Sequence, residues 1–300
     1  MTLSREQWLE ERKKGIGGSD SAAVLGLSKW KSPYQVWCDK KGYNSLESSN
    51  NASLFWGRTL EPVIRQHYSD ITGYSVAETE IYFMPDHDYI FATVDGLVIE
   101  DPDRILEIKT SRTAEGWGEP ETDQIPVEYL CQCQHYMMVY NRHITDVAVL
   151  IGGSDFRIYH VEASTEVQNH LLREYAEFWE LVKNDTPPEP RSFDDVMRRF
   201  KESTDNSIEA TPYIQILAQQ MKAAKEQSAS LENLCEELKT KIAAFMGENE
   251  VLTSAEQILA TWKYGKPRQF FDKPRFQADH PKLFKKYNKE TAPKRTFLIK

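Results

Sequence analysis

The stretch FATVDGLVIEDPDRILEIKT, residues 91–110, decides the fold. Two apolar runs flank the acidic turn Asp101-Pro102-Asp103, which reads as a hairpin with strands over 89–99 and 104–111. With Asp101 at the centre, Asp95 stands opposite Glu107, Val94 opposite Ile108 and Gly96 opposite Leu106. Alternation along each strand then puts Asp95, Glu107 and Lys109 on one face, and Val94, Val98, Leu106 and Ile108 on the other. Opposed side chains have Cβ atoms about 5 Å apart, where like charges destabilise the pair. Lys109 brings one compensating charge. A divalent cation answers two converging carboxylates more fully, and oxygen-only ligands favour Mg²⁺ or Mn²⁺ over zinc. A solvent-exposed hairpin face of mixed charge carries the same pattern, and the hairpin alone does not separate the two.

Working outward, FWGRTLEPVIRQHY belongs to a helix over 54–72 whose Leu60, Ile64 and Tyr68 face the core, with Glu61 beside that stripe. After the hairpin, a helix over 126–140 carries EYLCQCQHYMMVY. Tyr129 and Gln132 share one side of it, and a buried Gln needs hydrogen-bond partners. TDVAVLIGG and FRIYHVEAS read as a second hairpin, and a helix over 164–184 closes the core. Upstream, Arg12 precedes GIGGSD. Glycines admit close backbone approach, and N–H groups at a helix start attract anions. Arg12 and Ser19 would suit a phosphate, although Ser19 also serves as a plain N-cap. Ser32, with Pro33 after it and Gly42 beyond, brackets another helix. Helices around a small sheet with hairpins indicate a mixed α/β domain rather than a βαβ repeat.

The linker NDTPPEP, 184–190, suggests a core over 1–190, a linker over 191–210 and an extension over 211–300. In the extension Ile214, Leu217, Met221, Ala224, Ser228, Leu231, Cys235, Leu238, Ile242 and Phe245 step by three and four along one long helix. That stripe fits a helical partner or a helix lying on its own core. Residues 262–300 hold 12 Lys/Arg against 3 Asp/Glu, whereas the whole chain carries −9. Aromatics interleaved with those cations can stack bases, or can close a small core with a basic face. Cys38, Cys131, Cys133 and Cys235 form no CxxC pair, so reduced buried thiols are expected rather than a zinc or iron–sulfur site. No apolar run approaches the roughly 20 residues of a membrane span. The charged N-terminal residues lack the core of a signal peptide, so a cytoplasmic protein is expected.

Taken in order, R-x6-S within RKKGIGGS, WGRTLEP, the VDG of ATVDG, LEIKT and YLCQCQ resemble the YqaJ-type viral recombinase family, which includes the phage lambda exonuclease. These pieces run across 8–180. The resemblance implies a restriction-endonuclease-like core with a mixed central sheet flanked by helices, and PD-(D/E)xK nuclease chemistry. It implies that Asp95 and Glu107 bind two Mg²⁺ ions, which Mn²⁺ can replace, with the Ile108 carbonyl as a further ligand and Glu61 in support. Lys109 would orient the attacking water, Gln132 is the family's helix glutamine near the site, and Arg12 and Ser19 hold a 5′ phosphate. His67, His135 and His160 match nothing in the family and are expected to be structural. The implied activity is 5′-to-3′ digestion of one strand of linear duplex DNA, leaving 3′ overhangs for a single-strand annealing protein. A trimeric ring and a phage or prophage source are implied as well. A PD-(D/E)xK endonuclease, a Cas4-like or RecB-like nuclease, and a DNA-binding scaffold without activity remain alternatives.

Overall fold

The apolar run TDVAVLI is buried on both sides, as the centre of a sheet requires. The computed structural model describes residues 5–43, 52–289 and 294–300. It divides at Arg199/Phe200 into two units. The first begins α1 (Arg5–Lys13), α2 (Ser21–Val24), α3 (Pro33–Lys40), α4 (Ala52–Thr72), β1 (Val76–Ala77), β2 (Tyr82–Met84) and β3 (His87–Ala92). It continues with β4 (Gly96–Val98), β5 (Arg104–Ser111), α5 (Val127–Tyr140), β6 (Ile144–Ile151), β7 (Asp155–Glu162), α6 (Thr165–Lys183) and α7 (Phe193–Arg199).

The sheet order is β1-β4-β5-β6-β7, with β5 and β6 parallel and the other neighbours antiparallel. This is the mixed α/β class expected, and β6–β7 is the expected hairpin. One βαβ crossover, β5–α5–β6, was not anticipated from a reading built on hairpins. On one face Ile105, Val147 and Val149 pack with Cys133, Tyr136 and Met137 of α5 and with Leu171, Tyr175 and Phe178 of α6. On the other, Leu106, Ile108 and Ala148 pack with Ile64 and Tyr68 of α4. α3 starts as expected: Ser32 Oγ accepts from Gln35 N at 3.1 Å and Pro33 occupies the first turn.

Three expectations need correction. Residues 89–99 are not one strand. β3 pairs with β2 and β4 pairs with β5, and the chain leaves the ladder between them. Ser19 caps no helix: a 3-10 turn at Gly18–Asp20 precedes α2, and Gly17 and Asp20 occupy the cap positions. Residues 191–199 belong to the first unit rather than to a linker. Asp195 is fully buried, accepting from the hydroxyl of Ser32 at 2.7 Å and from the Arg191 and Ser192 amides.

The second unit holds α8 (Pro212–Met246), the hairpin of β8 (Val251–Ser254) and β9 (Gln257–Thr261), and the short helices α9 (Lys273–Asp279) and α10 (Pro281–Tyr287). α8 is the single long helix the periodicity indicated. Within this unit its apolar stripe is exposed, and Met246 is its one buried residue. Cys235 is exposed too, unlike Cys38, Cys131 and Cys133. α9 and α10 bury no side chain, so the basic aromatic segment closes no core of its own. No helix among the described residues is long and apolar enough to cross a membrane.

Asp146 ties the sheet to α4. It accepts from Tyr68 Oη at 2.6 Å and Arg104 Nη1 at 2.5 Å, and meets His160 Nδ1 at 2.7 Å. That hydrogen bond to Asp146, aided by Glu121, raises the His160 imidazole from 6.5 to about 9 against partial burial. A raised folded pKa favours the protonated form, so its stabilising contribution is complete below about pH 6.5 and is lost as pH rises through about 9. Thermal melts of wild type and His160→Gln should therefore differ most at acidic pH and converge as pH rises through that window. A constant difference would contradict the assignment.

Candidate active site

β5 lifts Glu107 and Lys109 onto the α5 side of the sheet, two residues apart and therefore on one face. The register Gly96↔Leu106 and Leu97↔Ile105 is the one read from the sequence. One step further along, Asp95 has left regular pairing but is pinned, its Oδ2 accepting from Ile108 N at 2.7 Å. Val94 does not share a face with Val98, Leu106 and Ile108 as expected. It packs with Ile105 and α5, because the backbone turns at residues 93–95.

Glu107 is 2% exposed inside the first unit. Its Oε1 accepts from Lys109 Nζ, while Oε2 is buried with no hydrogen-bond partner. Burial, followed by the Asp95 charge, pushes its carboxyl up to about 8 despite Lys109. Burial likewise raises Asp95, opposed by Lys109 and the Ile108 amide. Lys109 is the cation both depend on. Its Nζ also donates to Gln132 Oε1 at 3.1 Å and lies 4.8 Å from the centre of the Tyr129 ring. Gln132 Nε2 in turn donates to Tyr136 Oη at 2.6 Å, satisfying the buried amide. Glu61 on α4 comes within electrostatic reach of Asp95, which raises its carboxyl after the larger effect of burial. Its Oε1 is occupied by Arg65 Nη2 at 2.7 Å. Among the described residues no three acidic, His or Cys side chains already close around one metal position. The preformed element is the Asp95–Glu107 pair, with Glu61 held aside by Arg65.

Arg12 and Ser19 do meet: Arg12 Nη2 donates to Ser19 Oγ at 2.6 Å, and the guanidinium lies 4.8 Å from the centre of the Trp8 ring. The intervening glycines serve packing rather than ligand approach. A Cβ on Gly15 would stand 2.5 Å from the Tyr89 carbonyl oxygen, and one on Gly18 would stand 2.4 Å from the Tyr136 ring. Ile16 runs parallel to Ile90, exchanging backbone hydrogen bonds with Tyr89 and Phe91. Tyr136 thus touches both groups, under Gly18 on one side and bonded to Gln132 on the other.

The histidines hold structure. Buried His135 bridges Tyr175 Oη at 3.0 Å and the Phe91 carbonyl at 2.8 Å, and burial lowers its pKa to about 4. His67 packs edge-on to Phe156. Sequence reading missed a buried ion cluster around Asp20 with Lys40, Lys31 and Arg12. Lys40 ends a helix where a solvated lysine is the ordinary choice, and its partner lies twenty residues away, so no local pattern marks it.

Comparison with known proteins places these residues in a family. Residues 7–147 match the YqaJ-like viral recombinase domain. The Bacillus subtilis (strain 168) protein named "Uncharacterized protein YqaJ" is 30% identical over 298 residues, covering 96% of this chain and 92% of its own. Among solved structures, an alkaline exonuclease from Laribacter hongkongensis aligns with a TM-score of 0.49 at 21% identity, over 60% of this chain and 94% of its own. A phage-related exonuclease from Haemophilus somnus 129PT aligns with a TM-score of 0.44 at 14% identity, over 57% and 94%. Identity sustained along nearly the whole of both sequences decides the matter: the chain belongs to the YqaJ-like viral recombinase family.

Proposed function

We propose that this chain is a divalent-metal-dependent exonuclease. It degrades one strand of linear duplex DNA from the 5′ end and leaves 3′ overhangs for a single-strand annealing partner. The observation that carries the reading is Glu107, buried beside Asp95 with an orphaned Oε2 and Lys109 bonded to its other oxygen. An all-oxygen donor set whose carboxyls are pushed up chiefly by burial fits a hard cation. Asp95, Glu107 and the Ile108 carbonyl would hold Mg²⁺, two ions per site with Mn²⁺ as a substitute, and Glu61 would support them. When bound, the metal supplies a hydroxide at neutral pH and neutralises charge on the phosphate.

The chain's own groups do the rest. Lys109, already protonated and aimed by Gln132, orients the attacking water and stabilises negative charge as it develops. Arg12 and Ser19 hold the 5′ phosphate and so select the strand end. Tyr136 bonds Gln132 and lies against the backbone at Gly18, next to Ser19, which links the two regions. Membership of a viral recombinase family supports a recombination role, in the cytoplasm of a cell carrying a phage or prophage. Three copies in a ring around DNA would reconcile processive digestion with an acidic chain of −9, since the outer surface need not meet phosphate. Light scattering should then give three times the chain mass, and a stable monomer at micromolar concentration would contradict the ring.

End-labelled linear duplex in Mg²⁺ should lose its 5′ label first while closed circular DNA survives. Asp95→Ala and Lys109→Ala should each slow the digestion by about a thousandfold or more, as loss of groups acting on the transition state does. Degradation by both variants at the wild-type rate would remove the assignment. Above about pH 8, where Glu107 is ionised, Lys109→Met should also destabilise the metal-free protein by roughly 3 kcal/mol, because it strands a buried carboxylate. Adding Glu107→Gln should recover part of that loss in thermal melts. A double variant no more stable than Lys109→Met would mean the pair is not coupled.

A further inference from the structure

Asp20 is 1% exposed, and three cations converge on it. Lys40, equally enclosed, donates to Oδ2 at 2.6 Å and to the Arg12 carbonyl at 2.8 Å. That buried pair is already neutral. Oδ1 nevertheless faces two more cations, Arg12 Nη2 at 3.6 Å and Lys31 Nζ at 3.5 Å, so their tips are at most about 7 Å apart. Asp39 also pairs with Lys31, so among the described residues three cations face two carboxylates. A fold seeking stability alone gains little from a further cation at that distance, because like charges repel.

The arrangement has a solvent side. Arg12 and Lys31 keep about a quarter of their side-chain surface exposed, 27% and 28%, while Asp20 and Lys40 form the floor beneath them. The Ser19 hydroxyl, bonded to Arg12, lies beside them. The loop that carries Lys31 is anchored at both ends. Lys29 N donates to Glu128 Oε1 at 3.4 Å, and Ser32 Oγ to Asp195 at 2.7 Å. Burial works to raise the Asp20 carboxyl, but Lys40, Lys31 and Arg12 outweigh it and hold it below the usual carboxylate range. Asp20 therefore stays ionised throughout neutral pH.

We infer that Lys31 is a further ligand of the terminal 5′ phosphate, and that Asp20 with Lys40 is the positioning pair that spaces Arg12 and Lys31 for it. The inference rests on the phosphate-end reading above and extends it to specificity. A terminal phosphate monoester carries about −1.5 to −2 at neutral pH, whereas an internal diester carries a single charge. Two cations and a hydroxyl gathered on one side of a carboxylate match the first better than the second, so the pocket distinguishes a strand end from its interior.

The test measures binding and needs no cleavage. Affinities of the full chain for the same linear duplex bearing a 5′ phosphate or a 5′ hydroxyl are measured in EDTA by fluorescence anisotropy. Wild type should prefer the phosphate by about tenfold or more, the loss expected when a charged hydrogen bond goes unmade. Lys31→Gln and Asp20→Asn should each remove most of that preference, and Lys31→Arg should keep it. A preference that survives intact in Lys31→Gln would overturn the inference and leave the Arg12–Ser19 reading standing. Wild type without any preference would overturn both. Lys31 is partly exposed, so its variants remain informative should Asp20→Asn fail to fold.

Discussion

Everything in the first unit is arranged around one electrostatic constraint: Glu107 is a carboxylate on a fully buried stretch of the strand that also carries the core. Its neighbours Leu106 and Ile108 pack against α4, and the alternation of a strand leaves Glu107 no choice but the opposite face. There Asp95 makes matters worse and Lys109 makes them tolerable. α5 then supplies Gln132 and Tyr129 to hold the lysine, and Tyr136 to hold Gln132. A buried charge cluster of this kind is a poor way to stabilise a fold, since well-packed apolar residues of similar volume do as well or better. Its persistence makes sense if the site serves chemistry.

The second organising device is the way the N-terminal segment joins the sheet. Ile16 extends the edge of β3, and Gly15 and Gly18 let the backbone lie directly on Tyr89 and Tyr136. This sets Arg12 and Ser19 at a fixed place relative to α5. The Asp20–Lys40 pair then fixes Arg12 from below, through its carbonyl as well as its guanidinium. Two groups distant in sequence are thus held by one tyrosine and one buried ion pair rather than by a flexible loop.

Much of this was legible in the sequence, for a physical reason. Period-two alternation and a Pro-containing turn determine register, so the facing of Gly96 and Leu106 could be read directly. Cap chemistry marked the start of α3, and the three-four stepping of α8 gave its length. Where the reading failed, the deciding partner lay far along the chain. Val94 changed face because β2 claims β3, which breaks the strand before Asp95. The GIGGS glycines looked suited to a ligand because Tyr89 and Tyr136 are not visible from residue 15. Asp195 looked like part of a linker because Ser32 lies 163 residues away. Glu61 comes within electrostatic reach of Asp95, but its Arg65 tether is ordinary i,i+4 spacing and drew no notice.

The central claim is that Asp95 and Glu107 form a cation site, and a titration with Mn²⁺ in the absence of DNA, followed by electron paramagnetic resonance, addresses it most directly. The account predicts saturable binding by the wild-type chain. Asp95→Asn and Glu107→Gln should each weaken it by at least about tenfold, the scale on which ligand-sphere changes act. Binding of equal strength in wild type and both variants would place the metal elsewhere and contradict the account.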